Sequence, residues 1–193
     1  MDYTKNEDYY TIDRLASTAN YNCIIDISFI EDSSNVTEPV TLAEALAQAN
    51  IDNITNEDAL IESYITVARM QCEGYTGIGF IKREVVAIVN NTLGNIYLPY
   101  GPIASVTTVT DIDGNIIDAD SYKISGVKFK QVVYPCKNWL QVNYIAGYAE
   151  LPQVFKTAIL QQVAYLYEHR GDEKADTFSP LAKSLLKPFR RVC

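Results

Sequence analysis

His169 is the only imidazole in the chain, so any Ser-His-Asp or Cys-His mechanism would have to run through it. It lies in Glu168-His169-Arg170 at the end of a helical pattern. A general base there needs an activated nucleophile, and no sequence motif supplies one. His and Arg at a helix end also have a plain role, because they complement the negative end of the helix dipole. A single histidine removes most His-based metal sites as well. Cys23, Cys72, Cys136 and Cys193 lie 49, 64 and 57 residues apart, with no C-x-x-C or zinc-knuckle pair, and free buried thiols are expected.

Two further stretches have the residue types of binding loops. Asp111-Ile-Asp113-Gly114-Asn115 places carboxylates beside a glycine, but it lacks the full calcium-loop spacing and the closing glutamate, and a β-turn is expected. Gly74-Tyr-Thr-Gly77-Ile-Gly79 is glycine-rich but follows a helical pattern, whereas phosphate-cradling loops follow a strand and open a helix. Fourteen tyrosines could stack on bases, yet they are dispersed and not interleaved with Lys or Arg. Asn-x-Thr occurs at Asn35, Asn53 and Asn90, and matters only in a secreted chain. The residues alone give no evident chemistry, no cofactor and no metal set.

The elements that carry these residues belong to a chain of 193 residues, 48% apolar and 21% charged, the balance of a folded domain and not of a disordered or fibrous chain. No apolar run approaches the roughly 18–20 residues of a membrane helix, and MDYTKNEDYY has neither the basic flank nor the apolar stretch of a secretory signal. Synthesis and assembly in a cytoplasm are expected. Residues 1–62 hold 13 acids and 2 bases, residues 63–150 hold 7 of each, and residues 151–193 hold 4 acids and 7 bases. The net charge of −8 argues against tight, sequence-reading DNA binding, which needs a basic stripe. An acidic front and a basic tail suit head-to-tail contact between copies or docking on an acidic partner, and equally two solvated faces.

Residues 1–38 read as an acidic extension with one β segment, CIIDISFI at Cys23–Ile30. Thr41 and Glu44 form a capping box for a helix near 41–50. Thr55 or Asn56 caps a second helix near 56–74, with Leu60, Ile61, Tyr64, Ile65, Ala68 and Cys72 on one stripe and Gly74 and Gly77 closing it. From about 80 to 147 the pattern is β, with strands at Val85–Val89, Ile96–Leu98, Ile103–Thr110, Val127–Phe129, Val132–Tyr134 and Leu140–Ile145 and a hairpin turn at Asp113-Gly114-Asn115. This predicts a small antiparallel sheet or sandwich carried between helices. A third helix near 152–170 is apolar over most of its circumference, so its own domain or a neighbouring subunit must cover several sides. Ser179 and Pro180 open a short helix near 180–187, with Leu181, Ala182, Leu185 and Leu186 on one face, and Pro188 releases the last residues as a tail. The class is α+β.

An ordered set of segments carries more. Pro39-Val-Thr-Leu-Ala-Glu-Ala45, Asn56-Glu-Asp-Ala-Leu-Ile61 running to Glu73-Gly-Tyr-Thr-Gly77, and Leu98-Pro-Tyr-Gly-Pro-Ile-Ala-Ser-Val106 with the Asp113-Gly114 hairpin come first. Tyr144-Ile-Ala-Gly-Tyr148, Leu151-Pro152, Tyr167-Glu-His-Arg170 and Leu185-Leu-Lys-Pro-Phe-Arg190 complete it. Together, over about residues 39–191, they resemble the head–tail connector (head-completion, or adaptor) family of tailed bacteriophages. The acidic extension and the Asp172–Phe178 loop have no counterpart in that pattern.

The resemblance implies a helical bundle with an inserted β region, residues 39–193 forming the connector domain. It implies no catalysis and no cofactor. It implies a homo-oligomeric ring, usually of about twelve copies, beneath the portal of the virion neck and above a stopper or tail protein. Genomic DNA would pass through the channel without sequence-specific binding. The family's C-terminal segment docks on the portal, which maps here to Leu185, Leu186, Phe189, Arg190 and Arg191. Phe155, Ile159, Tyr165 and Leu166, on the wide apolar helix, are the expected subunit interface. The alternatives are a neighbouring neck or stopper protein and, from another class, a small nucleic-acid-binding module or an enzyme using His169.

Overall fold

The computed structural model describes residues 23–30, 37–50, 57–91, 94–136, 138–172 and 176–191. The fold is α+β. The chain divides into a helical unit, Ser33–Lys82 with Gly147–Val192, and a β unit made of Arg83–Ala146 and the strand that precedes the first helix.

In the helical unit, α1 (Leu42–Gln48) opens with the expected capping box: Glu44 N–H donates to Thr41 Oγ1 at 3.2 Å and Thr41 N–H donates to Glu44 Oε2 at 2.7 Å. The hydrogen bonds from Thr41 hold the Glu44 carboxyl below its ordinary range. Helix α2 (Asp58–Thr76) buries Ile61, Ile65, Ala68 and Cys72 on the predicted stripe. Its expected caps, Thr55 and Asn56, lie outside the described residues. Gly74 does not end the helix but sits inside it, and the chain turns only at Gly77, whose φ of 68° is left-handed and whose N–H donates to Glu73 O at 2.8 Å. Arg69, 1% exposed, is bound by Glu38 at 2.9 Å and Glu73 at 3.0 Å, and Glu73 also accepts the Phe80 N–H at 2.6 Å. A buried charge set of this kind holds only when each member is hydrogen-bonded, and here it ties residues 38, 69, 73 and 80 together.

Helix α3 (Gln153–Glu168) packs against α1, α2 and α4 (Pro180–Leu186). Much of its breadth of apolar surface is therefore covered by helices of its own unit, while Leu160, Tyr165 and Leu166 stay half-buried. It ends at Glu168, before the expected Gly171, with His169 as C-cap. Helix α4 is capped by Ser179 and buries Ala182 and Leu186, while Leu181, expected on the same face, is 53% exposed. At Gly147 the backbone has a φ of +104°, and a Cβ there would overlap the Ile81 carbonyl group. Only glycine fits where the chain re-enters the helical unit.

Among the described residues, the β unit has two antiparallel sheets. The first has strand order β1 (Cys23–Ile30), β2 (Arg83–Asn90), β7 (Trp139–Ala146), β4 (Ile103–Asp111). The second has order β3 (Asn95–Tyr97), β6 (Gln131–Val133), β5 (Lys123–Ser125). The β segment expected in the acidic extension is thus an edge strand, paired to β2 from Cys23↔Asn90 to Ile30↔Glu84. Inward residues of both sheets, among them Val85, Val89, Ile96, Val132, Leu140, Val142 and Tyr144, share one core. No strand forms at Val127–Phe129. Gly126, at φ +101°, turns the chain there, and the strand is the preceding Lys123–Ser125, whose three residues are all exposed and leave no alternating apolar signature.

Candidate interaction surface

The C-terminal segment does not leave the domain as a free tail. Helix α4 passes directly into a 3-10 turn at Lys187–Phe189 that accommodates Pro188 near its start, where a missing N–H costs nothing. The turn places the Phe189 ring edge-on against Phe155, with centroids 4.9 Å apart. The Arg190 guanidinium lies 5.4 Å from the Tyr75 ring centroid, and Arg191 N–H donates to Thr76 O at 2.9 Å. That last bond satisfies a carbonyl at the end of α2 that the helix itself cannot pair. The segment lies against its own domain because an aromatic socket and an orphan carbonyl are both within reach.

Burial sorts the sequence-derived contact residues. Leu186 is fully buried and Leu185 half-buried, while Phe189 is 38% exposed and Arg190 and Arg191 are exposed. Phe155 and Ile159 are within the helical core at 1% and 0% exposure; the Phe155 ring meets Phe80 at 4.8 Å and Tyr148 at 5.8 Å. Residues so enclosed present almost no surface of their own. Tyr165 and Leu166 are half-buried and keep surface to offer.

His169 stacks on Tyr165 with ring centroids 4.1 Å apart, and its Nδ1 lies 2.9 Å from Tyr165 O. Both contacts are local to the helix end. Beside them, Tyr167 Oη donates to Glu57 Oε2 at 2.6 Å, and Arg170 pairs with Glu57 Oε1 at 3.1 Å while lying over the Tyr167 ring. The tyrosine hydrogen bond, then Arg170, holds the Glu57 carboxyl below its ordinary range, and the same hydrogen bond raises the Tyr167 phenol. This cluster joins the start of α2 to the end of α3. Among the described residues, no three His, Cys, Asp or Glu side chains converge to hold a metal.

Sequence reasoning missed the hub at Gln162. Fully buried, it donates to Gln71 Oε1 at 2.7 Å and Thr177 O at 3.0 Å and accepts Ser179 N–H at 2.7 Å, fixing the approach to α4. The available signal was a glutamine inside an otherwise apolar helical face.

Chains of similar architecture occur in gene transfer agent particles. A chain in the neck of an empty gene transfer agent particle, computed with C6 symmetry, matches with a TM-score of 0.68 and 20% identity over 86% of this chain and 96% of that one. A chain of the native gene transfer agent virion matches with a TM-score of 0.67 and 20% identity, over the same shares. A third, from the native neck computed with C12 symmetry, matches with a TM-score of 0.60 and 21% identity over 82% of this chain and 94% of that one. The likeness is one of fold. No family model matches the sequence, and no curated protein matches it.

Proposed function

We propose that this chain is a structural subunit of a virion neck, assembling as a homo-oligomeric ring beneath the portal and extending the DNA channel towards a stopper or tail protein. The observation that carries the proposal is the fold shared with neck chains of gene transfer agent particles over 86% of the sequence. The symmetric necks from which those chains come, together with the ordered connector-like segments, support a ring of about twelve copies. The site is a surface and the activity is assembly; there is no catalytic step. Portal contact falls to the exposed part of the C-terminal segment, Phe189, Arg190 and Arg191, with Leu185 and Leu186 beneath. Tyr165 and Leu166 are the members of the α3 set that can reach a neighbouring subunit, with Phe155 and Ile159 supporting them from the core.

The test is the mass of the purified protein, alone and mixed with the portal protein of the same phage, by light scattering or native mass spectrometry. Joining of portal in about twelve copies, weakened by R190E/R191E, is the expected result. This variant is preferable to deleting residues 185–193, because deletion would also remove the buried Leu186. A discrete small oligomer indifferent to portal would overturn the proposal. Binding only beneath a preformed connector would move the chain to the stopper position.

A further inference from the structure

The β unit is electrically polarised along one strand. Residues 83–146 contain five acids and five bases, and four of the acids (Asp111, Asp113, Asp118, Asp120) fall within ten consecutive residues. Three of the bases (Lys123, Lys128, Lys130) fall within the next ten. Each stretch also exposes two large apolar side chains: Ile112 at 70% and Ile116 at 74% in the acidic one, Ile124 at 46% and Val127 at 88% in the basic one.

Hydrogen bonds place the Asp111–Ile116 turn and the Lys128–Lys130 side of the basic hairpin at opposite ends of β4, with the chain running back along the strand from Ile116 towards the hairpin. The basic hairpin is tied to the start of the strand, where Ile103 N–H donates to Lys128 O at 2.7 Å and Lys130 Nζ donates to Ala104 O at 2.7 Å. The acidic turn closes the far end: Asp111 N–H donates to Asn115 O at 3.0 Å, and Thr110 bridges Ile116. Eight residue steps of strand separate Ile103 from Asp111, about 26 Å.

Both ends are held in shape before any partner arrives. The Asp111 carboxylate accepts Asn115 N–H at 2.8 Å, Asp113 N–H at 3.0 Å and Asn115 Nδ2 at 3.0 Å, around a Gly114 with φ +83°. In the basic hairpin Gly126 makes the turn, and the Phe129 ring fills the space that a side chain at Gly101 would take. Exposed apolar groups on preorganised turns lose little entropy on docking.

We infer that these are the two halves of a head-to-tail contact between copies of this chain: the acidic knuckle Ile112–Asp118 of one copy seats against the basic knuckle Lys123–Lys130 of the next. The inference rests on the ring reading above and names its contact. Opposite signs at opposite ends of one strand cannot satisfy each other within a two-fold dimer interface made of one knuckle alone. They match when each copy offers its acidic end to a neighbour's basic end; a two-fold pair would consume both ends at once, whereas the heterologous arrangement leaves one end of each kind for the next copy and closes into rings. Ile112 and Ile116 with Ile124 and Val127 supply the apolar centre, and the charges set register and reject like ends.

The experiment uses the full chain in three forms: unaltered, K123E/K128E, and D113K/D118K. Folding of each is checked by circular dichroism, since exposed substitutions leave the core untouched. Equal amounts of nitrogen-14 and nitrogen-15 chains are treated at low salt with a carbodiimide, which joins a carboxylate to an amine within contact distance, and linked peptides are identified by mass spectrometry. Native mass spectrometry reads the oligomers. The expected result is mixed-isotope links between Asp113 or Asp118 and Lys123 or Lys128 in the unaltered chain, with the oligomers seen by native mass spectrometry falling at least tenfold in either variant alone. Mixing the two variants restores assembly, because each then offers the sign that the other lacks. Variants that assemble as the unaltered chain does, or links confined to other surfaces, overturn this contact and leave the ring standing. A chain that stays single at every concentration and beside portal overturns both. Salt-sensitive DNA binding abolished by K123E/K128E, with assembly unchanged, assigns the basic hairpin to nucleic acid and overturns the contact.

Discussion

Phe155→Ala separates a core residue from an interface residue. The Phe155 ring is 1% exposed and meets the rings of Phe80, Tyr148 and Phe189 at 4.8, 5.8 and 4.9 Å. Truncating a buried phenylalanine costs about 3–5 kcal/mol, the lost transfer energy plus the cavity left behind. With a urea slope of about 2 kcal/mol/M, the midpoint falls by about 1.5–2.5 M. Because the chain has two units, two probes are needed. Far-UV circular dichroism at 222 nm follows the helices, and the fluorescence of Trp139, the only tryptophan, follows the β unit. The helical transition should move by the full amount, independently of protein concentration. Phe155→Leu, which fills much of the same space, should move it less. A midpoint shifted by less than about 0.5 M, with self-association lost instead, would show that Phe155 faces a partner and refute the reasoning.

Other outcomes follow from single contacts. Burial raises the Cys72 thiol to about 12, so at pH 8 it should alkylate far more slowly than the exposed Cys136, as read by peptide mass spectrometry. The Glu57 carboxyl is held low chiefly by Tyr167, so its stabilising contribution is present above the unfolded carboxyl range and is lost as pH falls through the folded value. In Tyr167→Phe its carbon-13 carboxyl titration should move up towards the ordinary range; an unmoved titration would remove Tyr167 as the cause. Gly147→Ala, with a left-handed φ and a backbone carbonyl in the way of the new methyl, should lower the melting temperature severely or give insoluble protein, and a melt matching the unaltered chain would contradict that geometry.

Much of the fold was legible because local signals and tertiary packing agree. The Thr41/Glu44 box, the α2 stripe and the Ser179-Pro180 start each state a boundary in a few residues. Strands buried on one side alternate, as β2 does from Arg83 to Asn90. Lys123–Ser125 was not legible, because a three-residue exposed strand writes no pattern, while Val127 beside it looks like a strand residue on a turn. The fate of the C-terminal segment was hidden for another reason. Pro188 says that an α-helix cannot simply continue, but only the aromatic socket at Phe155 and the carbonyl of Thr76 decide where the chain goes next. The apolar breadth of α3 likewise told that several surfaces must cover it, and not that three of them are its own helices.

The close pass of Gly147 against Ile81 has a consequence for how such a chain can change over time. The backbone departs from the helical unit at one point and comes back beside it, with Arg83 paired to Ala146 just beyond. Sixty-four residues, Arg83–Ala146, form one continuous cassette of the β unit between those two points, with the strand Cys23–Ile30 paired to it from earlier in the chain. Within the cassette, loops can lengthen, shorten or change sign while the two points keep their spacing, so the helical scaffold need not be rebuilt when the presented surface is rewritten.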